Sequence, residues 1–362
     1  MKMKDYERIT FILGGMSRGG AERVVAILAN HFAKKGKKVD ILTLLNSNCS
    51  YHLEPNVNLI SLYKENKPRI LQIVDWIKGI RSYYNHYRPH RIVSFFAKIN
   101  IIVLLALINH TEDILVSERN DPSRDGRGLI VRLLTNILYP KSKKVIFQTE
   151  WARTCFSKNV RKKSEIVQNP VVEITVNNIE KEKTIVNVGK LMEQKNQKLL
   201  INCFSKIAMD YPEYKLIIFG EGEKRDELEA LIKNLGLEDR IELPGWVSEV
   251  HKHVASAEMF VLSSNYEGLS NALLEAMTLG VPVISTNCAG SNELINHKKN
   301  GLLFPIGDEE ELEKSMRFLL ENPGKAKEIG EQGRKDTKKY GVSKIIGKWE
   351  DVIGLNQDRN LK

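Results

Sequence analysis

The sequence predicts an α/β protein made of two successive domains, each a doubly wound parallel sheet. Three observations predict this. From residue 9 onward, short apolar runs alternate with helical segments, the pattern of β-α-β units with parallel strands and right-handed crossovers. The alternation breaks at Asn169 and Pro170, passes through a polar stretch, and restarts on the same theme. The 362 residues suffice for two cores of ordinary size.

The first strand is expected over residues 9–13, followed by Gly14, Gly15, Gly19 and Gly20. Residues 21–36 carry Val24, Val25, Leu28 and Phe32 at helical spacing, and Gly36 is the stop signal. A second strand follows at 38–44. Strands at 91–95, 114–117 and 144–148 complete the first half. The segment 173–183 is polar and charged without a period and reads as a linker. In the second half, strands are expected at 184–189, 215–220, 259–263 and 281–285, each paired with a helical segment. Residues 343–353 read as an amphipathic helix, and the pattern does not say which half it packs on. The expected domains are residues 1–170 and 171–342. The sequence carries neither a short internal repeat nor a low-complexity tract.

With 42% hydrophobic and 28% charged residues, the composition excludes long disorder. The net charge of +10 favours anionic partners (nucleotides, nucleic acid or acidic lipid) without choosing among them, and it is equally that of a solvated basic surface. Cys49, Cys155, Cys203 and Cys288 form no CxxC pair, so neither a zinc site nor a disulfide framework is expected, and a reducing cytoplasm fits. Residues 1–8 are charged and lack a signal-peptide pattern. The longest apolar run, 101–108, is shorter than the roughly 20 residues a membrane span needs, so any membrane contact is expected to be peripheral. Residues 67–91 mix basic residues with Trp76, Tyr83, Tyr84 and Tyr87. They read either as a surface for an anionic membrane or as a surface helix with its apolar face on the core. The basic residues are spread over both halves with no nucleic-acid motif, so no nucleic-acid partner is expected.

In open α/β sheets, ligands bind beyond the carboxyl ends of the strands, so the residues after each strand are the candidates. After the first strand, Gly19 and Gly20 precede a helix whose free N–H groups and dipole can hold an anion. The spacing matches neither G-x-G-x-x-G nor a P-loop, and a simple strand-to-helix turn remains an alternative. After the 184–189 strand, Lys190 and Lys195 lie five residues apart and can grip a diphosphate, or can be two surface lysines. The 259–263 strand leads into SSNYEGLSNALLEAMTLGVPVI. Here Ser270 is the expected N-cap of a helix beginning at Asn271, with Glu267 just before it and Glu275 about a turn and a half along it. Leu273, Leu274 and Met277 are expected in the core. The amides of Leu269, Ser270 and Asn271 are expected to face a diphosphate, and the two carboxylates to take hydrogen bonds from a sugar and a ribose. An acidic helix start that merely complements the dipole is the alternative. No Asp-x-Asp motif follows a strand.

These segments together resemble glycosyltransferase family 4, in the branch of bacterial exopolysaccharide and lipopolysaccharide sugar transferases. The resemblance covers essentially the whole chain and rests on GGAERV (19–24), SERN (117–120), VGKLMEQKN (188–196), FGEGE (219–223) and EGLSNALLEA (267–276), in that order. It implies the GT-B fold, two Rossmann-like domains facing a cleft, with the acceptor bound by the first and the sugar nucleotide by the second. The last helix, 343–358, would cross back onto the first domain. It implies transfer with retention of configuration and no metal or other cofactor. Gly19 and Gly20 would face the donor phosphates and Lys195 would be the diphosphate lysine. Glu267 would hold the sugar and support the chemistry, and Glu275 would bind the ribose.

Two departures from the family pattern stand out. Lys190 occupies a position usually held by Arg, keeping the charge but losing the bidentate fork. Many members carry a histidine near the 117–120 loop; here Glu118 and Arg119 are the nearest acceptor-side candidates, and no general base is assigned. The expected activity is therefore transfer of a hexose or N-acetylhexosamine, from a UDP-sugar by family branch, to a saccharide or lipid-linked acceptor. A sugar-nucleotide epimerase of the same fold, which would turn over donor without acceptor, is the enzymatic alternative. A basic nucleic-acid-binding protein, showing salt-dependent binding and no transfer, is the non-enzymatic one.

Overall fold

The computed structural model describes residues 5–64, 68–172 and 180–354. The chain divides into two compact units, residues 1–169 with 345–362, and residues 170–344. In the first unit, β1 (Asp5–Leu13), α1 (Gly20–Lys34), β2 (Lys38–Thr43) and β3 (Val57–Ser61) lead to α2 (Arg69–Tyr87) and β4 (Pro89–Phe95). Then come α3 (Ala97–Ala106), β5 (Ile114–Ser117), α4 (Leu129–Leu138), β6 (Lys144–Phe147), α5 (Glu150–Thr154), α6 (Lys158–Lys162) and β7 (Ser164–Ile166). The second unit opens with β8 (Glu182–Val188), α7 (Gln197–Ile207), β9 (Lys215–Phe219), α8 (Arg225–Asn234), β10 (Ile241–Gly245) and α9 (Val250–Ser256). It continues with β11 (Ala257–Leu262), α10 (Asn271–Thr278), β12 (Val283–Thr286), α11 (Ser291–Leu294), β13 (Leu302–Phe304), α12 (Glu309–Glu321) and α13 (Pro323–Thr337). The last helix is α14 (Val342–Ile353).

Both sheets are parallel throughout their recorded pairings. Their orders are β3-β2-β1-β4-β5-β6-β7 and β10-β9-β8-β11-β12-β13. Central strands of such sheets are covered on both faces, which is why they read as continuous apolar runs. All seven residues of β4 are buried. The four strands that the sequence pattern does not reveal, β3, β7, β10 and β13, are the four sheet edges.

Three expected segments can be placed in the structure. Of the expected linker 173–183, residues 173–179 lie outside the described residues, and Glu182 and Lys183 begin β8. Of the basic and aromatic stretch 67–91, Trp76, Tyr83 and Tyr84 are buried in the core, so the apolar face of α2 serves packing there. Tyr83 donates to the Asp40 carboxylate and Tyr84 donates to Asp113 at 2.8 Å, which satisfies their hydroxyls inside the protein. The expected final helix is present as α14; residues 355–358 of it lie outside the described residues.

From Ile345 onward α14 belongs to the first unit. Its apolar face is spaced at Ile345, Ile346, Trp349, Val352 and Ile353, all buried. The Trp349 ring packs 6.4 Å from that of Phe95, and the Arg119 guanidinium lies 5.5 Å from its centre. Glu350 pairs with His31 at 2.9 Å and with Lys35, and Arg91 Nε donates to the Ile353 carbonyl at 3.1 Å. Deleting a fully buried Trp side chain costs about 3–5 kcal/mol. Trp349→Ala is therefore expected to lower the unfolding free energy of the first unit by that amount, read as a shift in its urea midpoint. A change below about 1 kcal/mol would show that α14 is not part of this core.

Candidate functional site

Each sheet reverses its order once, between β1 and β4 in the first and between β8 and β11 in the second. At such a point the loops leaving adjacent strands diverge and open a crevice beyond the strand ends. The candidate residues gather at these two places.

In the second unit the loop after β8 carries Lys190 and Lys195, and the loop after β11 carries Glu267. Lys195 Nζ lies 2.5 Å from Glu267 Oε1, with only 18% and 7% of the two side chains exposed. Ser264 Oγ donates to the same carboxylate oxygen at 2.7 Å. The two loops are sewn together: Asn265 N donates to the Gln194 carbonyl at 2.8 Å, Gln194 Nε2 to the Tyr266 carbonyl at 2.9 Å, and Ser263 Oγ to the Lys195 carbonyl at 3.0 Å. Lys190 is exposed, and its carbonyl receives Gln197 Nε2 at 3.0 Å.

Helix α10 starts where its sequence says it should. Ser270 is the N-cap, its Oγ accepting from Leu273 N at 3.4 Å. Leu273, Leu274 and Met277 are buried beneath the helix. Leu269 and Ser270 are buried too, and Leu269 and Asn271 are each already engaged in an interaction. Glu275, further along α10, lies 3.6 Å from His251 Nε2 on α9.

Backbone contacts fix the height of these loops. A Cβ on Gly290, in the loop after β12, would run into the Gly268 carbonyl, so this loop presses directly on the Glu267 turn. Thr286 Oγ1 donates to the Ser264 carbonyl at 2.7 Å from the same side. A Cβ on Gly220 would meet the Gly189 carbonyl, and one on Gly222 the Leu191 carbonyl; Gly220 also has φ +138°. The FGEGE motif is thus where the end of β9 lies against the lysine loop. Ser264, His251, Thr286 and Gly290 carry no pattern of their own and are missed by sequence reasoning.

In the first unit the reversal point holds a cavity of about 450 Å³. Gly14, Gly15 and Ser17 of the turn after β1 line it, as do Phe96, Ala97 and Lys98 after β4. Its walls are apolar at Ile73, Trp76, Ile102 and Val131, and polar at Asn46, Asn120, Glu22, Glu118 and Asp125. This is the size and mixed chemistry of a small-ligand site. Gly19 is the N-cap of α1, with its N–H donating to Tyr51 Oη at 3.0 Å and its carbonyl receiving that hydroxyl at 2.7 Å. A side chain at Gly19 would strike the Glu22 carboxylate. Glu22, inside the GGAERV motif but not singled out by it, has its pKa raised by burial. Gly20 opens the helix itself.

Glu118 lines this cavity, yet both its oxygens are committed. Arg127 Nη2 donates to Oε2 at 2.7 Å and Tyr139 donates to Oε1. Burial disfavours charge on Arg127, but Asp125 and Glu118 outweigh it and hold its pKa above the usual value. Arg119 is not among the lining residues. Its guanidinium is buried 4.9 Å from the Phe95 ring and beneath Trp349, with Nη1 donating to Asn169 Oδ1 at 3.0 Å. Burial lowers its pKa. Arg119 therefore ties α14 to the sheet rather than reaching the cavity. Its place after β5 gave it a cation at a strand end but did not reveal which way it turns.

Residues 173–336 match the family described as glycosyl transferases group 1. An uncharacterized glycosyltransferase of Haemophilus influenzae is 26% identical over 347 residues, covering 95% of this chain and 98% of the relative. The N-acetylgalactosamine-N,N'-diacetylbacillosaminyl-diphospho-undecaprenol 4-alpha-N-acetylgalactosaminyltransferase of Campylobacter jejuni is 27% identical over 359 residues, covering 94% of this chain and 97% of the relative. The crystal structure of Anabaena Alr3699/HepE in complex with UDP superposes with a TM-score of 0.81 at 17% identity, covering 96% of this chain and 99% of that one, which shows a shared fold. The chain is a glycosyltransferase with the GT-B fold. Its second half is a group 1 glycosyl transferase domain.

Gly290 offers a test of how tightly the site is built. Gly290→Ala places a methyl group against the Gly268 carbonyl. Overpacking of this kind costs about 1–3 kcal/mol. The variant is expected to melt earlier and to lose activity by moving the Glu267 turn. Unchanged melting and unchanged kcat would show that the turn has room to spare.

Proposed function

We propose that the protein is a retaining transferase of glycosyltransferase family 4. It moves a hexose or N-acetylhexosamine from a UDP-sugar to a saccharide or lipid-linked saccharide acceptor in surface polysaccharide biosynthesis. The observation that carries this reading is the largely buried Lys195–Glu267 pair at the reversal point of the second sheet. A cation and a carboxylate side by side suit a substrate that brings a diphosphate and a sugar to the same spot. The UDP bound in the Anabaena structure supports a uridine donor. The Campylobacter jejuni relative, named for a diphospho-undecaprenol-linked substrate, supports a lipid-linked acceptor and work at the inner face of a membrane.

In this reading Lys195 and Lys190 neutralise the diphosphate, with the turn at Leu269, Ser270 and Asn271 and the N-terminus of α10 beside them. Glu267 takes hydrogen bonds from the sugar hydroxyls and stabilises positive charge developing on the ring. Glu275 holds the ribose and His251 orients it. Gly19 and Gly20 let the phosphates approach the backbone of the first unit. The acceptor lies in the cavity of the first unit, with Glu118 and Arg127 as its floor. The bond from the anomeric carbon to the phosphate oxygen breaks while the acceptor oxygen bonds to that carbon on the same face. The acceptor proton passes to the departing phosphate oxygen, so no side chain is needed as base and UDP leaves. Lysines carry the compensating charge, so no metal is required.

UDP should raise the melting temperature of the chain, since it would bind only the folded state; no shift with UDP, GDP or ADP would remove the donor assignment. Glu267→Gln is expected to lower kcat roughly a hundred- to a thousandfold with little change in UDP affinity. Glu275→Ala is expected to weaken UDP binding about tenfold or more and to spare kcat at saturating donor. Near-wild-type turnover by the Glu267 variant would sink the site. EDTA is expected to leave transfer unchanged, and abolition reversed by Mg²⁺ would overturn metal independence.

A further inference from the structure

The outer face of α4 has no partner within the described residues that would account for its composition. Leu129 is 84% exposed, Ile130 75% and Leu133 61%, and Ile137 is exposed beside them. Their spacing of one, four and eight residues puts all four on one side of the helix. The opposite side is already spent: Val131 and Leu134 pack on the first-unit core, and Leu138 is buried in it. The helix is therefore apolar on both sides, one facing its own core and one facing solvent. A continuous apolar face left open on a folded unit marks an interaction surface.

Two neighbouring features extend it. Ser157 N donates to Asn136 Oδ1 at 3.1 Å, which sets the start of α6 against α4. Trp151, on α5 just before it, keeps about half its ring exposed while its Nε1 donates to Asp121 Oδ1 at 3.3 Å. An amphipathic ring anchored by its polar end is the side chain that favours a membrane–water interface. Around this face the charge has one sign. Residues 129–163 hold nine Lys and Arg against one Glu, a surplus of eight in a chain whose net charge is +10. Arg132, Lys141, Lys158, Arg161 and Lys162 are exposed.

We propose that α4, with α5 and α6, is a docking surface for an anionic lipid bilayer. Apolar side chains bordered by cations match a layer of acyl chains beneath acidic headgroups. The charge argues against a second copy of this chain on the same face, because two such surpluses would meet. No helix among the described residues is long and apolar enough to cross a membrane, so the unit rests on the bilayer. The consequence for the acceptor rests on the function proposed above. Val131 of α4 lines the 450 Å³ cavity, as do Ile73 and Trp76 of α2, whose first turns expose Ile70 and Leu71. Docking on α4 therefore sets the lipid against the outer side of a helix whose inner side, at Val131, walls that cavity.

The test is sedimentation of the full chain with vesicles of phosphatidylethanolamine and phosphatidylglycerol, against vesicles of phosphatidylcholine. The wild type is expected to bind the anionic vesicles, to be released by salt, and to ignore the neutral ones. A Leu129→Ser, Leu133→Ser, Ile137→Ser variant is expected to bind about tenfold less or weaker, with its UDP-induced melting shift intact as evidence of folding. Arg132→Glu with Arg161→Glu and Lys162→Glu is expected to lose the salt-dependent part. Equal sedimentation of the serine variant and the wild type overturns the proposal. So does a wild type that stays in solution, or a concentration-dependent dimer that the serines dissolve without any vesicle binding. Vesicle binding with no response to UDP would sink the donor assignment and leave the docking surface standing.

Discussion

Parallel strands all end at one rim of their sheet, and both halves of this protein are organised by that constraint. Each crossover helix returns the chain to the opposite rim, so the loops that follow the strands share a single edge. Where the strand order reverses, neighbouring loops turn away from each other and neither crossover covers the gap. Here that happens between β1 and β4 and between β8 and β11. The glycine turn, the cavity and Glu118 belong to the first gap, and the Lys195–Glu267 pair belongs to the second. One topological rule, applied twice, therefore locates the chemistry of both units.

The two gaps treat buried charge differently, and the difference separates architecture from chemistry. Arg127 is held by two carboxylates, and Tyr139 closes the remaining oxygen of Glu118. Removing one partner from so complete a network costs about 3–5 kcal/mol, because the charge left behind stays buried. Such a group has nothing to offer a ligand except a rigid wall. Glu267 has a lysine and a serine hydroxyl, both on a single oxygen, and Lys195 keeps part of its surface in water. This pair can exchange its mutual contact for a phosphate on one side and a hydroxyl on the other at modest desolvation cost. Partial satisfaction is what suits it to the binding role proposed for it.

Much of the fold was legible because the central strands are buried on both faces and read as unbroken apolar runs. Residues 114–117 are β5 to the residue, and the helix stop at Gly36 falls just beyond α1, with φ +78°. The edge strands were not legible for the same reason in reverse. In β3 only Val57 is fully buried, and β7 and β13 are three residues long, too short to show a period. The candidate site divides along a similar line. Glu267, Ser270 and Glu275 sit on one contiguous segment whose cap and helix announce themselves. His251, Thr286 and Gly290 reach the same place from α9, β12 and the loop after β12, and nothing local marks them. Arg119 shows the opposite case, and the aromatics of α2 resolve to the second of their two readings, a face packed on the core. Their residue types allowed surface work, and the packing of α14 and the hydroxyl partners inside the core claimed them.

The glycines of the second unit carry the last part of the argument. At Gly189 with Gly220, at Gly222 with Leu191, and at Gly268 with Gly290, backbone meets backbone with no room for a side chain between. Loops held only by exposed side chains shift easily, because surface contacts are weak and long side chains are entropically costly to fix. Loops in direct backbone contact have no such slack. Lys195 and Glu267, the residues proposed to meet a diphosphate and a sugar, are therefore carried on segments whose heights are set by three steric stops. Two of those stops lie in the VGKLMEQKN and FGEGE motifs. In this unit their first task is to bring the ends of neighbouring strands close enough that a lysine from one and a glutamate from another can share a hydrogen bond.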